Sequence, residues 1–230
     1  MTARLIIHES AANLGVGNAC AAIISGISVN ADKTFVPALT RNLNEIASRL
    51  ADLCSNPIYN GFARQLERLG YPETTSACEK ILKHFVSNGV RSINNVVDAY
   101  NAVAIKHSVS VGVHTFDKQQ DIHVYRAQSP IRIRPLFSKK DVAIPPGDLV
   151  YSAGDHTLAT IGKIDADAHD FRLTDSTRNL VVVVLGHEDT SYDFNKGVID
   201  ELIGSLVQAM PELHYEFMER RFPAASEKTG

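Results

Sequence analysis

The chain has no tryptophan, and methionine and cysteine occur three times each. No apolar run approaches the length that crosses a bilayer, which excludes a spanning helix. The first twenty residues lack a basic start leading into an apolar stretch, so no secretory leader is expected and the chain is assigned to the cytoplasm. Cys20, Cys54 and Cys78 are odd in number and form no C-x-x-C pair. They therefore suggest neither a disulfide framework nor a zinc site, and read as small buried side chains. The formal charge of −3 gives no global pull on a phosphate backbone. Also absent are a G-x-S-x-G elbow, a P-loop and a G-x-G-x-x-G following a strand, which removes the commoner hydrolase and nucleotide signatures.

What is present is enough for a full core: 44% of 230 residues are hydrophobic, and residues 1–230 are read as a single domain. "RLIIH" and "ACAAIISGISV" look like strands. From residue 39 the period turns helical, with Leu39, Leu43, Ile46, Leu50 and Leu53 on one face until Asn56-Pro57 breaks the run. A second helix carries Phe62, Leu66 and Leu69 to Gly70, and a third starts at a capping box of Ser76 and Glu79. The fourth is expected to be capped by Ser92, with Ile93, Val96, Val97, Tyr100 and Val103 as its buried stripe. After Ser108 the strand candidates are "VSVGVHTF", "IHVYRA", "IRIRPLF", "DLVYSA" and "LVVVVLG". The last is apolar on both faces and should lie centrally. A polar loop, "GKIDADAHDFRLTDSTRN", precedes it, and a helix from about Asn195 to Gln208 follows. Helices grouped and then strands grouped indicate an α+β fold.

Three local patterns bear on chemistry. Lys118, Arg126, Arg132, Arg134, Lys139 and Lys140 stand against Asp121 alone, a basic stretch that could meet phosphates or keep a strand edge solvated. Asp165, Asp167 and His169 alternate, and on an extended segment could face a divalent cation, although hydrated loop residues explain them as well; no metal is assigned. His114 and Asp117 are three apart, so on a strand they point to opposite faces and make a poor catalytic pair.

The stretch "SINNVVDAYNAVAIKHSVSVGVHTFD" is more specific. Ile93-Asn94 opens a helix, Val97-Asp98 and Tyr100-Asn101 follow, and a short strand ends in His114 ahead of Asp117. This pattern resembles the B3/B4 domain of the bacterial phenylalanyl-tRNA synthetase β subunit, above all its freestanding B3/4 relatives. The likeness continues through "IHVYRA", "IPPGDLVY" and "LTDSTRNLVVVV", and is weakest over residues 1–60. It implies a single B3/B4-like domain with a helical group packed on a mostly antiparallel, barrel-like β core. It further implies hydrolysis, in trans, of the ester of a mischarged tRNA, with the aminoacylated acceptor end as partner and no cofactor.

By the same resemblance, His114 is the histidine of the editing pocket, with Asn101 beside it as a catalytic candidate. Asn94, Asp98 and Arg126 are candidates for substrate contact, or ties between the helix and the strands. Gly162 and Thr177 match a glycine-containing loop and a threonine before the last strand. Val183 falls where the family places a glutamate that reads a tyrosine hydroxyl, which argues against tyrosine specificity because valine accepts no hydrogen bond. Arg132, Arg134, Lys139 and Lys140 are the candidates for RNA contact. Two other readings remain beside the deacylase: a non-catalytic module binding tRNA or an amino acid, and a hydrolase of small amino-acid esters or amides.

Overall fold

The structure, a computed structural model, describes residues 3–53, 55–116 and 120–223. The first half runs β1 (Arg4–Ile7), α1 (Glu9–Ala12), β2 (Cys20–Ser25), α2 (Val36–Ala47), α3 (Leu50–Leu53), α4 (Pro57–Arg68), α5 (Ala77–Asn88) and α6 (Asn95–His107). The second runs β3 (Gly112–Thr115), β4 (Ile122–Arg126), β5 (Ile131–Ile133), β6 (Val142–Ile144), β7 (Leu149–Ala153), β8 (His156–Ile161), β9 (Ala166–Asp167), β10 (Asn179–Val184), α7 (Tyr192–Ala209), β11 (His214–Phe217) and β12 (Glu219–Arg221).

β10 explains the layering. Its side chains alternate between two apolar environments: Val181 and Val183 join Leu5, Ile122, Leu149 and Leu158 from the larger sheet, whereas Leu180, Val182 and Val184 join Val96, Val103, Ile199 and Leu202 from α6 and α7. A strand buried on both faces must be central. It lies between β2 and β3 in a four-stranded sheet of order β11-β2-β10-β3. The six-stranded sheet, β12-β1-β4-β7-β8-β9, packs against one side of it, and α6 and α7 cover the other. A third cluster, Leu39, Leu43, Leu82, Phe85 and Ile105, joins α2, α5 and α6. The fold is thus α+β, and most strand pairs are antiparallel, with β12-β1 and β1-β4 parallel. The expected barrel-like closure does not occur among the described residues: β3 and β11 end one sheet, β9 and β12 the other. Each sheet buries a face against the other, and α6 and α7 cover the outer face of the four-stranded sheet, so neither needs to close on itself.

Local chemistry sets the helix that matters most. The cap of α6 is Asn94, whose side chain accepts from the Val97 N–H at 2.8 Å, and not Ser92. Ser92 instead donates to Asp98 Oδ2 at 2.5 Å while Asp98 Oδ1 accepts from the Ile93 N–H, so the buried carboxylate ties down the segment entering the helix. Ile93 consequently precedes the helix and is 56% exposed, outside the stripe expected for it. Ser76 does cap α5, accepting from Glu79 N–H, and Asn56 caps α4 at the Asn-Pro break. Cys20 and Cys78 are buried thiols; Cys54 lies outside the described residues. No helix among the described residues is long and apolar enough to cross a membrane.

Candidate functional site

Where α6, β3 and the chain around β9 meet, they leave a pocket of about 290 Å³. Its size is at the small end of ligand sites, about 300–1,000 Å³. Val97, Tyr100 and Asn101 come from α6, and Val113 and His114 from β3. Asp167, Ala168, Phe171 and Arg172 form the far wall, and Leu136 and Phe137 reach in from the arm after β5. Most of this lining is apolar; its polar members are Asn94, Tyr100, Asn101, His114, Asp167 and Arg172.

His114 is 1% exposed, and its Nε2 lies 2.6 Å from the hydroxyl of Tyr151 on β7. The contact crosses between the two sheets and requires Gly112: a Cβ there would stand 2.1 Å from the Tyr151 hydroxyl and 3.2 Å from His114 Nε2. Burial holds the imidazole down to about 3, so it is neutral at physiological pH and acts through hydrogen bonding. Asp167 Oδ1 stands 3.8 Å from the same nitrogen, with 39% of its side chain open. Enclosure in the wall, and then the charge of Asp165, raise the Asp167 carboxyl to about 7; burial raises Asp165 to about 6. Burial and the nearby Asp167 also push up the Tyr100 and Tyr151 phenols, which stay protonated. A neutral imidazole, the protonated Tyr100 phenol and a carboxyl that exchanges its proton near neutrality therefore face one small volume, while the Tyr151 phenol, outside the lining, holds His114. Such a set can donate to a carbonyl and can accept a proton from water.

His114, Asn101 and Asn94 line this pocket. None of the other residues proposed for substrate or RNA contact is in its lining. Asp98 is occupied with Ser92 and Ile93. Arg126 donates through Nε to the Gly147 carbonyl at 2.7 Å and is not in the wall. Gly162 makes room for the Asp148 carboxyl, which a Cβ would meet at 2.3 Å, and Thr177 bonds Thr115 Oγ1 and the Thr174 N–H. Val183, 2% exposed, faces the core between the sheets, so its lack of an acceptor says nothing about the pocket. Asp165, Asp167 and His169 do not converge on an ion: no group of three ligand-type side chains comes together among the described residues. The extended segment ends at Asp167 and a tight turn begins at His169, which breaks the alternation. Asp117 and Lys118 lie outside the described residues. Arg134 pairs with Asp170, while Arg132, Lys139 and Lys140 are exposed.

Sequence reasoning missed Tyr151, Phe137 and the place of Asp167 in the wall. The tyrosine in the largely apolar strand "LVYSA" was the available signal, because a buried phenol needs a partner.

A sequence-family model described as the B3/4 domain matches residues 69–214. The chain is 32% identical over 135 residues to the phenylalanine–tRNA ligase β subunit of Thermotoga maritima, covering 49% of this chain and 16% of that protein. Among solved structures it is similar to an N-terminal fragment of the phenylalanyl-tRNA synthetase β subunit from Pyrococcus horikoshii. There the TM-score is 0.54 at 11% identity, over 96% of this chain and 52% of the fragment. That likeness concerns the fold, and the chain spans only part of either relative.

Proposed function

The chain belongs to the B3/4 domain family, and from that premise we propose that it hydrolyses, in trans, the ester joining a wrong amino acid to the acceptor end of a tRNA. The relation to a synthetase β subunit supports a tRNA-related role. The observation that carries the hydrolytic step is the grouping of His114, Tyr151 and Asp167, with Asn101 in the same wall. Residues 1–230 are taken as one B3/4-like unit, acting in the cytoplasm where charged tRNA is made.

In this scheme Asp167, as carboxylate, accepts a proton from the attacking water. The neutral His114 imidazole, fixed by Tyr151, and the Asn101 amide hydrogen-bond the water and the ester carbonyl. The tetrahedral intermediate then collapses, the carbonyl–ribose oxygen bond breaks, and the proton held by Asp167 passes to the departing ribose oxygen. No protein nucleophile is needed, which agrees with the absence of Ser and Cys motifs. Positioning and electrostatic stabilisation supply the rate. The aminoacyl side chain meets the apolar lining of Val97, Val113 and Phe171. A phenol is no longer disfavoured by Val183, since Asp167 and Tyr100 offer acceptors in the wall itself.

Incubation with a panel of mischarged tRNAs tests the proposal. At least one should lose its amino acid faster than in buffer, with free tRNA and free amino acid as products. Tight binding without turnover across the panel would leave the non-catalytic module in its place.

A further inference from the structure

Phe137 is 84% exposed, more than any other large apolar side chain described, and it belongs to the pocket lining. Its φ is +65°, a left-handed backbone that a bulky L-residue adopts only against resistance. The strain is held by neighbouring backbone bonds. Leu136 N–H donates to the Asp167 carbonyl at 2.8 Å, His169 N–H to the Arg134 carbonyl at 2.7 Å and Ser138 N–H to the Pro135 carbonyl at 2.9 Å. A bridge between Pro135 and Ala168 completes the attachment. The backbone that carries the ring is thus anchored at the rim to the segment that carries Asp167, and the ring's own surface stays open. Exposed aromatic area presented from an anchored backbone suits stacking better than core packing.

The charge around it selects the partner. Arg172 lines the same pocket, with its guanidinium donating to the His169 carbonyl, and Lys139 and Lys140 follow Phe137 after Ser138, all three exposed. Of the acidic groups on the facing segment, Asp167 lies in the pocket wall beside His114 and Asp170 is engaged by Arg134. An aromatic face beside cations fits a nucleobase attached to phosphates, and a base stacks on such a face whatever its identity. We propose that Phe137 is the stacking platform for the terminal nucleobase of the RNA whose ester enters the pocket. The proposal rests on the deacylase reading for the identity of the RNA, and on the rim geometry for the contact.

Because the chain has no tryptophan, Phe137→Trp places a single indole at the rim as a reporter independent of turnover. AMP and a short single-stranded RNA should quench its emission, and ribose 5-phosphate, which has no base, should not. Phe137→Ala should weaken RNA binding roughly five- to a hundredfold, the range for loss of one base stack. Emission unchanged by AMP and RNA, or responding only to protein concentration as self-association would demand, overturns the platform; so does wild-type RNA affinity in Phe137→Ala. Quenching by RNA in a protein that hydrolyses no charged tRNA would keep the platform and remove the deacylase. Hydrolysis with wild-type RNA affinity in Phe137→Ala would do the reverse.

Discussion

Gly112→Ala separates the geometry of the His114–Tyr151 contact from ordinary strand preference, because the two predict opposite signs. On an extended strand, alanine for glycine narrows the unfolded ensemble and ordinarily stabilises by about 0.4–1 kcal/mol where the new side chain fits. Here the added Cβ would stand 2.1 Å from the Tyr151 hydroxyl. The phenol must retreat into a packed core, at about 1–3 kcal/mol for overpacking. It must also release His114 Nε2, leaving buried polar groups unmatched at about 1–3 kcal/mol. The net expectation is a loss of about 2–5 kcal/mol, or a Tm lower by roughly 5–15 °C for a chain of this size. Thermal unfolding followed by far-UV circular dichroism reads this directly. Tyr151→Phe in the same background removes the clashing oxygen and leaves Cζ, 3.3 Å from the new Cβ, as the nearest ring atom. The double variant should therefore be more stable than the sum of the single changes by about 1–2 kcal/mol. A neutral or stabilising Gly112→Ala, or strict additivity, would refute the contact as described.

Two further expectations follow from the wall and the arm. Asp167, raised to about 7 when folded, favours the folded state below the ordinary carboxylate range and loses that contribution as pH rises through about 7. His114, lowered to about 3, contributes in the opposite sense: its stability is complete above about 6.5 and is lost as pH falls towards 3. Denaturant unfolding of Asp167→Asn across pH 4–8 should thus show a steeper loss of stability on acidification than the wild type. A parallel pair of curves would show that the carboxyl is not perturbed. Replacing exposed Lys139 and Lys140 together with alanine should reduce the dependence of log K for tRNA on log salt by about one to two units, since each cation would neutralise one phosphate. An unchanged slope would place the RNA elsewhere.

The parts of the fold that could be read from the sequence are those set by local pattern. β10 was central because "LVVVV" has no polar face, and α6 was a helix because Val96, Val97, Tyr100 and Val103 repeat at its period. Its start was misplaced by two residues because Ser92 and Asn94 both have capping side chains, and only the packed Asp98 decides between them. β12, "ERR", shows no apolar alternation; it exists because β1 offers a parallel edge more than two hundred residues earlier in the chain. β9 spans two residues and is held by β8. That pairing is what brings Asp167 into the pocket beside His114. The site was half legible for the same reason: His114 and Asn101 follow from a contiguous pattern, whereas Asp167 and Phe137 reach it through sheet pairing and backbone bridges, and Tyr151 meets His114 across the two sheets.

The central claim is that this pocket breaks an aminoacyl ester with His114 as an oriented hydrogen-bonding group. Single-turnover deacylation of the most reactive mischarged tRNA, measured with saturating wild-type protein and with His114→Ala, tests it most directly. The account predicts a rate lower by about a hundred- to a thousandfold in the variant, the usual cost of one oriented donor, with tRNA binding retained. Equal rates in the two proteins would contradict it.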